Sequence, residues 1–495
     1  MVASAVRDFI PRPWQAPAID HLLEHKRAAL WKPMGSGKTA DVLTALDASN
    51  LAGHDPYPAL AIGPLRVARK VWREEARKWN HTRHMSVSQI IGDADTRGFI
   101  VDRLCHPGNN LPHEVYSINK ENVPWLVEKL AGRMPFRSII MDESRSLMGY
   151  RTEQGTAMPR ALSQIAWHKN VVNFWELTGT PSPNGHLKDL WGQLWFLDKG
   201  NRLGLTYSAF DNKYFAYKRV QDALSHKSSV QTVIQQGADA HIHGLVKDIC
   251  LSINLKDYID IAEPFQRTIK VALPEPARKL YREMEKKLFI EIEGHQIEAF
   301  SAATKSLKLL QIANGAVYLD PDVESDDDPR ARAWKLVHDA KLEALDSIIA
   351  EMGDVPILVA YSFKSDLARL LKAYPQGCHL DSEADEDAFK RGEVPLLFAH
   401  PKSGGHGIDG FQNVCNVIVF FGEGWDMELR QQIIERIGPV RQMQAGLDRP
   451  VFVYDIVAED TIDEVVLKRH ETKRAVQDLL MEAVKARKAN HALGD

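Results

Sequence analysis

Cysteine is scarce. Cys105, Cys250, Cys378 and Cys415 are spread over 495 residues, too few and too far apart for a disulfide framework or for the paired spacing of a zinc site. Reduced, buried thiols are therefore expected. No apolar run approaches the roughly 18 to 20 residues that span a bilayer. Arg7, Asp8 and Arg12 occupy the stretch where a secretory leader would be apolar, so a cytoplasmic protein is expected. An excess of one charge sign is also missing: the formal net charge is -4, so any nucleic-acid site must be a local basic groove on a molecule that is not a polycation. Internal repeats and low-complexity tracts are lacking too. With 44% hydrophobic and 26% charged residues the composition is that of a globular chain, which excludes wholesale disorder.

At roughly 100 to 200 residues per domain, the length calls for two to four folded units. Short β-branched and apolar runs recur between longer amphipathic stretches, the pattern of βαβ units in a parallel sheet. The clearest strand candidates are 28–31, 59–62, 138–141 and 173–177 in the first part, and 357–361, 395–399, 417–421 and 451–456 in the second. Two α/β lobes follow. Between them, residues 207–341 read mostly as helix, with 277–289 (ARKLYREMEKKLF) strongly amphipathic. The acidic run 320–328 reads as a solvated loop, because consecutive like charges repel and resist burial. His241 and His243 make no metal set with the scattered cysteines, and Trp191, Trp195 and Trp425, at helical spacing beside leucines, read as core.

Residues 34–39 read MGSGKT directly after the strand candidate 28–31, and a helical pattern follows. Strand, glycine-rich loop, Lys-Thr and helix form the context a phosphate-binding loop requires. Met34, Gly35, Ser36 and Gly37 can present backbone amides to an anion, Lys38 can reach the outer phosphates, and Thr39 can ligate Mg²⁺. The run 137–143 (RSIIMDE) supplies the complementary acids: Asp142 to hold the metal and Glu143 to polarise the attacking water. ATP and Mg²⁺ are the expected ligands.

With these residues in view, the chain resembles the Swi/Snf branch of the superfamily 2 helicases, whose motifs occur in family order over almost its whole length. Arg12, Pro13, Trp14 and Gln15 resemble the adenine-reading motif, in which the glutamine recognises the base. Residues 62–79 resemble the segment whose Pro-Leu turn touches the DNA backbone. DESR at 142–145 occupies motif II, with Ser144 and Arg145 where the family usually has Ala and His. Residues 177–197 (LTGTPSPNGHLKDLWGQLWFL) are similar to the motif III region, in which Thr178, Gly179 and Thr180 would link the phosphate state to lobe movement. Residues 357–370 resemble motif IV, and 402–409 (KSGGHGID) resemble motif V, with Gly407 and Asp409 at the nucleotide. Gln432 and Arg436 fit motif VI. Pro439 stands at the second family arginine, so Arg436 is the expected finger and Arg441 its reserve.

The resemblance implies an α/β fold of two RecA-like parallel-sheet lobes with helical insertions. The expected divisions are an ATP-binding lobe at 1–205, a helical insertion and linker at 206–262, a second lobe at 263–465 with a helical insertion at about 276–340, and a bracing helix at 466–495. It implies a DNA-dependent ATPase that steps along duplex DNA through sequence-independent phosphate contacts, with Pro64, Arg66, Ser117, Lys402, Ser403 and Gly404 as the expected contacts. A strand-separating or branch-migrating helicase is the alternative, and an ATP-dependent binding module with little motor activity is another of a different class.

Overall fold

The computed structural model describes residues 7–106, 114–151, 155–182, 187–221, 228–294, 299–319, 333–404 and 407–472. The acidic run 320–328, residues 405–406 of the motif V segment and the expected bracing helix beyond 472 lie outside the described residues. The chain divides into two compact units, one running to Lys218 and resuming at Val230–Ile261, the other formed by 219–229 and the chain from Ala262 onward.

The first unit is built on a seven-stranded sheet. Its strands are β1 (Arg27–Trp31), β2 (Ala59–Gly63), β3 (Ser86–Ile90), β4 (Glu114–Asn119), β5 (Ser138–Asp142) and β6 (Asn173–Thr178). Two short strands, β7 (Phe215–Gln221) and β8 (Ser228–Ile234), form a separate pair before β9 (Cys250–Ser252) returns to the sheet. The order is β3-β4-β2-β5-β6-β1-β9 and every pairing is parallel. The central strands β2, β4, β5 and β6 are buried along their whole length, and β2 and β5 read as nearly continuous apolar runs.

The second unit carries β10 (Phe265–Val271), the antiparallel pair β11 (Ala316–Tyr318) and β12 (Trp334–Leu336), then β13 (Ile357–Ala360), β14 (Cys378–His379), β15 (Leu396–Ala399), β16 (Val417–Phe420) and β17 (Phe452–Ala458). Its main sheet has the order β10-β17-β16-β13-β15-β14, again wholly parallel. The expected pair of parallel-sheet lobes is therefore present, and all eight strand candidates fall on strands.

The segment 206–262 differs from its helical expectation. It holds helices Tyr207–Tyr214 and Ala238–Val246, but β7 and β8 lie between them and β9 extends the first sheet. FAYKRVQ and SSVQTVI are rich in aromatic and β-branched residues, which favour extended chain over helix. In 276–340 the helices Glu275–Gly294 and Ala299–Asn314 do appear. Among the described residues no helix is long and apolar enough to cross a membrane.

Candidate active site

In the first unit the chain leaves β1 at Trp31, turns through 32–37 and enters helix Lys38–Leu51. Gly35 and Gly37 have φ of 71° and 87°, which a side chain would strain. A Cβ on Gly37 would also stand 2.5 Å from Gln15 Nε2, so the turn has room for glycine alone. Lys38 Nζ donates to the carbonyls of Lys32 (2.9 Å) and Pro33 (3.3 Å), folding its ammonium over the loop. Trp14 Nε1 donates to the Ser36 carbonyl at 3.0 Å and pins the loop from the other side.

Beneath the loop lies a feature that sequence reading missed: a wholly buried ion pair between Lys32 and Asp41. Burial pushes the Asp41 carboxyl up to about 6 against the opposing pull of Lys32. Gln15, expected to read adenine, donates through Nε2 to Asp41 at 2.8 Å, and its Oε1 accepts from the Arg12 amide at 3.2 Å. The structure thus ties Gln15 to the root of the phosphate loop.

Asp142 ends β5 and Glu143 follows in the left-handed region at φ 56°. Its amide donates to Asp142 Oδ1 at 3.1 Å. Burial, then repulsion by Glu143, push Asp142 up to about 7, while Lys38 draws it down. An acid pair under that repulsion, with Asp142 buried and Glu143 half-buried, suits a divalent cation, which would favour both ionised forms. With the half-buried Thr39 hydroxyl at the start of the neighbouring helix, the donors are oxygens of the kind Mg²⁺ takes. The residues present fit that ion.

The turn after β6 joins the same edge. Lys32 N donates to the Thr178 carbonyl at 3.0 Å, and Thr180 N to Thr178 Oγ1 at 3.1 Å. A Cβ on Gly179 would meet the Lys32 carbonyl at 3.4 Å and the Met34 amide at 3.7 Å, so this turn packs directly on the phosphate loop. Loop, acid pair and threonine turn all leave the carboxyl ends of β1, β5 and β6, where open parallel sheets place their ligands.

The expected DNA contacts separate. Pro64 and the half-buried Arg66 follow β2, whose carboxyl end leads into helix Val67–Val71. Ser117 does not fit: its side chain is fully buried in β4 and donates to the Ala68 carbonyl at 2.6 Å, so no phosphate reaches it. A serine in a strand reads as polar and accessible until its neighbours cover it.

In the second unit, Lys402 is exposed on the short helix Pro401–Gly404, Ser403 caps back onto the His400 carbonyl at 3.0 Å, and Gly404 is buried against Ala399 and Ile433. Gly407 adopts φ 67°, and Asp409 is ion-paired with Arg441. Gln432 lies on helix Met427–Ile434, buried, with Nε2 on Glu428 at 3.1 Å, whereas its Oε1 has no partner among the described residues. Arg436, also buried, donates to the Ile408 carbonyl at 2.8 Å. Gly407, Asp409, Arg436 and Arg441 are thereby brought together in one unit. The turn ahead of Gln432 is braced by Arg430, which reaches Glu423 at 3.1 Å and Asp455 at 2.7 Å in the interior. Trp191 and Trp195 belong to the first unit's core, as their spacing suggested.

The chain is similar to several known proteins. Residues 24–317 match the SNF2-related domain. Protein p41 of Acyrthosiphon pisum secondary endosymbiont phage 1 is 47% identical over 481 residues, which cover 97% of this chain and 100% of that protein. A human relative, SWI/SNF-related matrix-associated actin-dependent regulator of chromatin subfamily A member 1, is 22% identical over 91% of this chain, but the match covers only 41% of its own length. Among solved structures, the Sulfolobus solfataricus SWI2/SNF2 ATPase core in complex with dsDNA is 17% identical over 96% of this chain and 95% of that chain, with a TM-score of 0.43. The chain belongs to the SNF2-related family and, as a Swi/Snf-type member of helicase superfamily 2, is an ATP hydrolase.

Proposed function

We propose that this ATPase is a translocase on duplex DNA, with the first unit holding the triphosphate and the second contributing Gln432 and Arg436 to it. The observation that carries the reading is the convergence of the 34–39 loop, Asp142, Glu143 and the Thr178–Thr180 turn on one edge of a parallel sheet. Mg²⁺, when bound, offsets phosphate charge. Loop amides and Lys38 hold the β and γ phosphates, Thr39 and Asp142 hold the metal, and Glu143 orients the attacking water and takes up its proton. Arg436, or Arg441 once released from Asp409, meets the charge that develops on the transferred group.

A triphosphate that touches cations from both units favours their approach, and loss of the γ-phosphate removes that differential contact. Alternating grip then becomes stepping. Backbone contacts from Arg66, Lys402 and Ser403 make it independent of sequence. The work is done in the cytoplasm of the host cell. The test is the ATPase rate with duplex, single-stranded and forked DNA, with triplex- and strand-displacement alongside. Duplex stimulation with triplex displacement and no unwinding supports the reading. Fork unwinding replaces it with a strand-separating helicase, and turnover indifferent to DNA leaves a binding module.

A further inference from the structure

Three polar side chains are buried in the interior of the first unit. Ser144, Glu176 and Gln193 are 0%, 1% and 2% exposed. Ser144 immediately follows Glu143; Glu176 lies on β6, two residues before Thr178; Gln193 is on helix Leu190–Asp198. Ser144 Oγ donates to Gln193 Oε1 at 3.1 Å. Gln193 Nε2 in turn donates to the Pro181 carbonyl at 2.7 Å and to the Asp189 carbonyl at 3.1 Å. Pro181 is the residue after Thr180. One Glu176 oxygen has no partner among the described residues.

The donor inventory fixes the direction of this chain. Gln193 uses its amide protons on two carbonyls, so its oxygen must accept, and Ser144 has a single proton to give it. The link therefore runs one way, from Ser144 through Gln193 to the Pro181 and Asp189 carbonyls. Glu176 is buried nearby, its pKa raised well above the ordinary value by burial while Ser144 and Arg27 draw it down.

We propose that Ser144 and Gln193 are positioning residues, a hydrogen-bonded link that locks the turn presenting Glu143 to the 178–181 turn, so that the water-orienting carboxylate and the threonines move as one body. The proposal rests on the hydrolytic role given to Glu143 above. It also assigns a purpose to Ser144, which stands where the resemblance leads one to expect alanine: the hydroxyl is the link.

Ser144→Ala, Gln193→Leu and the double variant test it in the full chain, read by DNA-stimulated kcat, KM for ATP, equilibrium ATP binding and thermal melting. The double variant is diagnostic, because two residues that act through one bond lose little more together than singly. Ser144→Ala and Gln193→Leu should each lower kcat about tenfold or more, since small displacements of a reacting group are costly, with ATP affinity unchanged. The double variant should stay near the Ser144→Ala rate. Unchanged kcat in Ser144→Ala overturns the proposal. So does a double variant whose loss is the product of the two single losses, or a loss shared by kcat and ATP binding that tracks the melting temperature, which marks a packing role. Wild-type protein that fails to hydrolyse ATP with DNA refutes the reading of Glu143 itself; active wild type with an indifferent Ser144→Ala refutes only the chain.

Discussion

Lys32→Met keeps most of the side chain's volume and apolar stem but removes the ammonium that faces Asp41, where both partners are wholly buried. The Asp41 carboxyl is raised from 3.8 to about 6, by burial first, with Lys32 opposing. A carboxyl raised in the fold contributes stability that is full below its unfolded pKa and is lost as pH climbs through the folded one. In the wild type that loss ends near pH 6, above which Asp41 is ionised in both states. Without Lys32 the folded pKa moves higher, and the loss continues at about 1.4 kcal/mol per pH unit. Between pH 6 and pH 8 the variant should therefore fall behind the wild type by about 3 kcal/mol more. Urea unfolding at pH 6 and pH 8, followed by tryptophan fluorescence, reads the difference, with Trp14 a reporter bonded to the phosphate loop. A penalty of about 3 to 5 kcal/mol that is the same at both pH values would match a broken buried pair, but it would refute the titration argument.

Glu143→Gln should bind ATP normally and lose at least about a hundredfold in kcat, as expected on removing a general base; single-turnover kinetics with a nucleotide-binding control decide it, and normal turnover removes Glu143 from the role. Gly37→Ala should weaken ATP binding, because its Cβ would drive into Gln15 Nε2 at 2.5 Å and φ 87° disfavours a side chain; a calorimetric titration equal to wild type would show that the loop relaxes. Lys402→Glu should weaken DNA binding and flatten the logarithmic salt dependence by about one or more; an unchanged slope means Lys402 meets no phosphate. Asp366, buried with Asn314 Nδ2 at 2.9 Å, is pushed by burial from 3.8 to about 6. It should make the second unit lose about 3 kcal/mol between pH 4 and pH 6, and Asp366→Asn should flatten that stretch of the pH profile in a melting series.

How much was legible follows from where each signal resides. A strand buried on both faces of a parallel sheet is mostly apolar, so β1, β2, β5 and β6 and their counterparts β13, β15, β16 and β17 could be read directly. β3 (SVSQI) and β10 (FQRTIKV) lie at sheet edges with mixed composition, and β9 and β14 are three and two residues long, so their pairing depends on a neighbour that the local sequence does not contain. The phosphate loop was legible because its chemistry is local: glycines, Lys38 and Thr39 lie within five residues of one another. Ser117 was misjudged because exposure is a property of what packs above a strand.

By itself the sequence determined the class of fold, the nucleotide loop and the acid pair, all of which are set by residues adjacent in the chain whose backbone conformation and periodicity are short-range. Only the tertiary structure decided which polar groups share the interior. Asp41 meets Lys32 and Gln15, Lys341 meets Asp463 at 2.6 Å across 122 residues, and Ser144 meets Gln193 across 49. The reason is physical: a buried charge or hydroxyl is tolerable only with a partner, and the partner is supplied by the path of the chain through space rather than by the neighbouring letters.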